Sequence, residues 1–340
     1  MSGAIATAPA PRCPLCGGEG QPLYAGLRDR LFTAPGEWSH RQCRARACGL
    51  IWLDPMPREE EIHKAYGAYY THAPDADRSG VLAAVFRLAK RGYVANRFGY
   101  DATLIERLLG LLPWLYPGRP AELDFSVMWL QARGRGRLLD VGAGSGWLLA
   151  HMRSLGWNAI GVDLDAGAVA RARERGLEVR RGALREQQFP DASFDALAMS
   201  HSLEHVHDPA ATLAEARRVL APGGRLAIAT PNTRSILHRR FREHWFALDP
   251  PRHLCLFNRD ALAAALRGAG FARIRTFSSV RDANGAYLGS RAIRQSGRHD
   301  MMRRPPVAES VRGRAFQALE QARKLADPEA GEDLVALAEK

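Results

Sequence analysis

Four of the five cysteines lie in the first 48 residues, as Cys13-Pro14-Leu15-Cys16-Gly17 and, after 26 intervening residues, Cys43-x4-Cys48-Gly49. Four thiolates brought together from two tight turns can enclose a zinc ion tetrahedrally. The glycine behind each pair gives the turn room for backbone N–H groups to reach sulfur. The second pair is wider than the usual two-residue spacing, so its ligand geometry is less regular. A closed four-sulfur site has no open position for catalysis, and its work would be folding a segment too small for its own core. Four free thiols or a redox pair is the competing reading. Disulfides would normally follow a signal peptide, but Met1–Arg12 has no basic stretch before an apolar run. It reads as a flexible leader, and the expected location is cytoplasmic. Cys255 stands alone and reads as a small buried residue.

A second chemical signature is Leu139-Asp140-Val141-Gly142-Ala143-Gly144-Ser145-Gly146-Trp147. Glycines allow a sharp turn and let a ligand approach the backbone, and the helix that follows offers unpaired N–H groups. Asp163 ends the next apolar run, where a carboxylate can accept hydrogen bonds from both hydroxyls of a ribose. A dinucleotide site places a third glycine where this chain has Trp147. Asp140 adds an acid near the turn, which suits an ammonium and would repel a pyrophosphate. The ligand that is amino acid at one end and ribonucleoside at the other is S-adenosylmethionine.

Regular elements must carry these residues. Strands are expected at Arg137–Val141, Ala159–Val162, Leu177–Arg181, Phe194–Met199, Arg225–Thr230 and Ala272–Val280. Helices are expected at Trp147–Leu155, from Asp165 to Arg175, from Asp208-Pro209 to Leu220, and from a cap at Asp260 to Gly268. Such alternation predicts an α/β fold, a parallel sheet with helices on both faces. By composition the chain divides into a leader (1–11), a zinc-binding module (12–57), a helical connector or lid (58–135) with a tyrosine-rich turn at Tyr66, Tyr69 and Tyr70, the main domain (136–285), and a polar helical extension (286–340). The apolar stretch Leu104 to Tyr116 is expected to pack on the main domain, with contact to a membrane surface the other reading.

The first glycine motif resembles that of class I methyltransferases. Phe189-Pro190-Asp191-Ala192-Ser193-Phe194-Asp195, Leu203-Glu204-His205-Val206-His207-Asp208-Pro209 and Val219-Leu220-Ala221-Pro222-Gly223-Gly224 follow in that family's order. Thr230-Pro231-Asn232, Asp249-Pro250-Pro251-Arg252-His253-Leu254 and Ala269-Gly270-Phe271 are similar to a bacterial subgroup with a cysteine module in front. The resemblance implies a Rossmann-like sheet of seven strands, the last antiparallel, plus a small zinc-ribbon-like module held by Cys13, Cys16, Cys43 and Cys48. It implies cofactor contacts from Asp140, Gly142, Ala143, Gly144, Gly146, Asp163, Leu164, Ala183, Leu184 and Ser200. Many relatives have Gly-Asp after the third strand, the acid meeting the adenine amino group. This chain has Gly182-Ala183 there, which leaves that contact open.

Residues after the fourth strand face the methyl group in this fold, so His201, Glu204 and His205 are the catalytic candidates. His205 is the candidate base, because an imidazole titrates near neutral pH. Packing or positioning is its other reading, and a metal held by His201, Glu204 and His205 is a further one. His253, Arg252 and Trp245 are the expected substrate-side residues. The implied function is methyl transfer to a small-molecule or saccharide-linked acceptor. An RNA acceptor agrees with the net charge of +12. The arginines are scattered, however, and no aromatic-and-basic strand surface is apparent. A non-catalytic cofactor-binding scaffold and a nicotinamide enzyme are the remaining readings. No apolar run is long enough to span a membrane. The oligomeric state is not legible.

Overall fold

The structure is a computed structural model that describes residues 4–66 and 80–340. Tyr69, Tyr70 and most of the 73–80 break lie outside the described residues. In chain order the elements are β1 (Thr7–Ala8), β2 (Gly20–Leu27), β3 (Trp38–Cys43), β4 (Ile51–Leu53), β5 (Met56–Pro57), α1 (Val81–Phe98), α2 (Leu104–Leu109) and α3 (Arg119–Ser126). Then follow β6 (Arg137–Val141), α4 (Trp147–Ser154), β7 (Asn158–Asp163), α5 (Ala166–Glu174), β8 (Val179–Arg181), β9 (Phe194–Ser200), α6 (Pro209–Val219) and β10 (Leu220–Pro231). The chain continues with α7 (Ile236–Phe241), β11 (Cys255–Leu256), α8 (Arg259–Gly268), β12 (Ala272–Ser279), α9 (Ala283–Ser296), α10 (Val307–Arg323) and β13 (Asp333–Glu339).

A seven-stranded sheet runs in the order β12-β13-β10-β9-β6-β7-β8. β6 pairs in parallel with β7 and with β9, and β7 pairs in parallel with β8. The apolar residues of β6, Leu138, Leu139 and Val141, are all buried, as a strand covered on both faces requires. Helix starts follow side-chain chemistry. The Asp165 carboxylate accepts from the Ala168 N–H at 2.8 Å and starts α5. Helix α8 begins earlier than expected. Its cap is Asn258, which accepts from the Ala261 N–H at 2.8 Å, while Asp260 pairs with Arg234 at 2.7 Å.

Three expectations are corrected here. Residues 286–340 are not a polar appendage, because they supply most of α9, all of α10 and the interior strand β13. Leu334, Val335, Ala336 and Ala338 are buried, and this alternation-free apolar run is short enough to be read as part of a helix. The cysteine segment does not close on itself either. Its antiparallel sheet is β11-β4-β3-β2, so Cys255–Leu256 completes a sheet begun 235 residues earlier at Gly20. Finally, the Leu104–Tyr116 stretch does not bury its leucines. Buried there are Glu106, Gly110 and Pro113.

The chain forms two compact units. One comprises 1–69, 201–217 and 228–338, and the other 70–200, 218–227 and 339–340. Within the second, Tyr93 and Arg97 of α1 both bond the Asp124 carboxylate, at 2.8 and 2.7 Å, and the Trp157 indole donates to the Tyr100 hydroxyl at 2.9 Å.

Candidate active site

The glycine loop hangs on the end of β7. The N–H groups of Gly142 and Ala143 donate to the Val162 carbonyl at 2.9 and 3.1 Å. Gly142, Gly144 and Gly146 have φ of 80°, 53° and 80°, which side chains rarely adopt. Their reasons differ. A Cβ on Gly146 would stand 2.4 Å from Leu177 Cδ1, whereas one on Gly144 meets nothing within 4 Å. Gly146 therefore serves packing, and Gly144 borders open space.

Asp163 braces this loop, accepting from the Gly144 N–H at 2.7 Å and the Asp165 N–H at 2.8 Å. Asp140 is buried, and its Oδ1 has no hydrogen-bond partner among the described residues. Burial, with the Asp163 charge second, pushes the Asp140 carboxyl up to about 7. A buried acid without a partner is costly, so it marks a place for a donor from outside the chain. Leu164 exposes most of its side chain. Leu184 is buried, and the N–H of Ala183 donates to Glu186 Oε2 at 2.9 Å. Glu186 is the residue sequence reading missed. Its place three residues after Ala183 is capping-box spacing, which was the available signal. Ser200 ends β9, half-buried. An orphaned acid for an ammonium, open backbone at Gly144 and an acid at the β7 end fit S-adenosylmethionine.

In the other unit, the chain after β9 assembles a histidine and carboxylate group. The Glu204 carboxylate is wholly buried. It lies 3.2 Å from His201 Nδ1 and accepts from the Thr230 hydroxyl at 3.0 Å. Burial alone would raise its pKa. The His201 hydrogen bond and charge outweigh that and hold it down at about 2. Burial also opposes charge on His201, but the Asp333 and Glu204 carboxylates raise it to about 9. Arg281 Nη1 sits 2.9 Å from His201 Nε2, a contact that suits a neutral ring. The buried Glu204 needs a cation, so we favour the imidazolium, with the Arg281 donor turned to Asp333 Oδ2, 3.7 Å away.

His205 Nδ1 faces the Arg252 carbonyl at 3.0 Å and the Tyr66 hydroxyl at 3.1 Å. A carbonyl only accepts, so Nδ1 carries the proton and Nε2 the lone pair. His253 repeats this arrangement, with Nδ1 2.7 Å from the Ala247 carbonyl. The two rings meet edge to face, centroids 4.8 Å apart. Burial lowers both, and the neighbouring His253 helps bring His205 to about 4, so both are neutral at pH 7. Ligand atoms of Glu204, His205 and His253 lie within 4.8 Å of one another. His253 thus stands where the sequence suggested His201 for a three-residue group.

Two expected substrate residues face inward. Arg252 is fully buried, held by Asp29 through two 2.8 Å contacts, by Asp249, and by the Ala65 carbonyl at 3.1 Å. The Trp245 indole is buried and donates to Glu332 at 2.8 Å. Neither side chain is presented to a substrate, because the chain's own carboxylates saturate both.

The four N-terminal cysteines converge. Sγ of Cys13 and Cys48 are 3.7 Å apart, those of Cys16 and Cys43 are 3.5 Å apart, and all four lie within 4.8 Å. Sulfurs ~2.3 Å from a common centre in a tetrahedron are spaced at about this distance. Cys255 is buried.

A family model described as a methyltransferase domain matches residues 95–276. The chain belongs to this methyltransferase family. It is a class I S-adenosylmethionine-dependent enzyme. The methyltransferase is 32% identical over 192 residues to a probable S-adenosylmethionine-dependent methyltransferase of Mycolicibacterium smegmatis, covering 56% of this chain and 70% of that one. It is 38% identical over 152 residues to a ubiquinone biosynthesis O-methyltransferase of Xanthomonas oryzae pv. oryzae, covering 43% of this chain and 60% of the relative. A solved S-adenosylmethionine-dependent methyltransferase from Thermotoga maritima, described as a possible histamine N-methyltransferase, aligns with a TM-score of 0.44 at 19% identity. That alignment covers 75% of this chain and 99% of the other.

Proposed function

We propose that this methyltransferase carries a methyl group from S-adenosylmethionine to a hydroxyl of a small-molecule or saccharide-linked acceptor, with His205 as general base. The observation that carries the base role is the His205–Arg252 carbonyl contact at 3.0 Å, which fixes a lone pair on Nε2 of a neutral ring. When bound, the cofactor supplies an electrophilic methyl group. Asp140 would hold its ammonium, Asp163 its ribose hydroxyls, and Leu164, Ala183, Leu184 and Ser200 would frame the rest. His205 takes the acceptor proton at Nε2, and the buried Glu204 beside it favours the imidazolium that forms. The relative named a ubiquinone biosynthesis O-methyltransferase supports oxygen as the acceptor atom. Against an RNA acceptor, many arginines are already spent on internal partners, as in Arg234 with Asp260 and Glu329, or Arg41 with Asp54. The four cysteines would hold a structural zinc ion.

Calorimetric titration of S-adenosylhomocysteine tests the cofactor half. The expected result is a single site of about −8 kcal/mol or tighter, weakened at least tenfold in Asp163→Ala. Absence of binding by folded, zinc-loaded protein would overturn the reading. Once an acceptor is found, His205→Gln is expected to lower kcat by about 10²–10⁴ with little change in KM. Unchanged kcat would return His205 to a positioning role.

A further inference from the structure

Three side chains from two distant segments meet after β9, and all three present acceptors to one another. Glu204 and His205 lie in the turn Leu203–His205, and His253 lies in the loop before β11. A backbone bond ties the two segments at this point, the Leu254 N–H donating to the Glu204 carbonyl at 2.7 Å. The ligand atoms of the three residues lie within 4.8 Å of one another. Glu204 is buried, whereas His205 and His253 are part-exposed, so the group can be reached from one side.

Each imidazole is held by its far nitrogen. Nδ1 of His205 donates to the Arg252 carbonyl at 3.0 Å, and Nδ1 of His253 donates to the Ala247 carbonyl at 2.7 Å. Both rings therefore turn a bare Nε2 lone pair away from those carbonyls. No hydrogen bond reaches either Nε2 from the described residues. The charged group beside His253 Nε2 is the Asp249 carboxylate at 3.9 Å, a further acceptor. Glu204 is held ionised, and its two oxygens are fixed by His201 Nδ1 at 3.2 Å and the Thr230 hydroxyl at 3.0 Å. His201 itself stands outside the group, since its ring lies between Glu204 and Asp333, the latter 3.6 Å from Nε2.

Acceptors gathered without a donor are joined by a cation. Ring N–H groups set on backbone carbonyls, with the carboxylate set on a hydroxyl, are the means by which proteins aim metal ligands. Two neutral imidazoles and one carboxylate form a ligand set for zinc and its first-row neighbours, with a position left open. Magnesium and calcium prefer oxygen throughout, so they fit this set poorly. We propose that Glu204, His205 and His253 form a binding site for a first-row divalent transition-metal ion. The site goes beyond the methyl-transfer reading. An ion there takes the Nε2 lone pair that His205 needs as a base, so its occupancy withholds that base from an acceptor.

The test is an optical titration of Co²⁺ into the full chain after its four N-terminal cysteines have been saturated with Zn²⁺. Expected are weak visible d–d bands without thiolate charge transfer, with a dissociation constant of about 10 μM or tighter. His253→Ala should weaken cobalt binding at least about a hundredfold, and Thr230→Val, which frees Glu204 from its hydroxyl, by about 10–100-fold. A cooperative melt recorded without cobalt checks the fold of each variant. Absence of these bands, thiolate bands alone, or cobalt binding indifferent to both substitutions overturns the proposal. The titration needs no acceptor, so its failure leaves the general-base role to be judged separately by the kinetics of His205→Gln.

Discussion

Asp140 and Asp163 are both acids at strand ends, yet the structure treats them differently. Asp163 accepts two backbone N–H groups, while Asp140 keeps an orphaned oxygen in a buried position. An acid with a pKa of about 7 is protonated below that pH and charged above it. An ammonium ligand selects the charged form, so S-adenosylhomocysteine affinity should rise as pH climbs from 6 to 8, by up to about tenfold per unit below the pKa. Titrations across that range should show the slope in wild type and lose it in Asp140→Asn; a flat wild-type profile would separate Asp140 from the ammonium. The glycine loop, Asp140 and Asp163 were legible in the sequence because they are contiguous and their chemistry is local. The pairing of His205 with Tyr66 and with His253 was not, because 139 residues and the Arg252 loop separate the partners. Arg252 and Trp245 misled for the same reason. Residue type suggested contact with substrate, and only the fold shows Asp29 and Glu332 already engaging them.

At the scale of elements, the β11-β4-β3-β2 sheet joins the cysteine knuckles to the loop that carries His253. The Asn258 side-chain amide donates to the Cys48 carbonyl at 2.8 Å, just beyond β11. If the four cysteines hold zinc as proposed, its removal should loosen more than the cysteine turns. Hydrogen exchange on protein stripped by a chelator should show faster exchange in β3, β4 and β11 together, with a loss of stability on the order of several kcal/mol. Protection of β11 unchanged by stripping would uncouple the two. Strands β6, β7 and β9 were readable because each is a short, mostly apolar run between polar or turn-forming residues. β11 was not, since two residues carry no periodicity of their own.

For the whole molecule, the order β12-β13-β10 makes the last strand an internal one. Burial of Leu334 and Val335 is worth about 1.5–3 kcal/mol each, and ladder bonds on both sides add to this. That rivals the ~5–15 kcal/mol that holds a typical domain. A chain cut after Glu332 should lose its near-ultraviolet circular dichroism and its cooperative melting; retention of both would show that β10 and β12 manage without β13. The general α/β plan was legible from strand-helix alternation. The role of residues 286–340 was not, because polar, helix-forming α10 precedes β13 and sets the tone of the composition.

The same strand orders events during synthesis. Six strands of the sheet leave the ribosome before β13, and β10 and β12 must wait with an open lane between them. Until that lane fills, each presents an unpaired edge to other nascent chains. Pairing of this half of the sheet thus waits for residues 333–339, and a chain stopped before them would carry on β10 and β12 two adhesive edges that β13 otherwise covers.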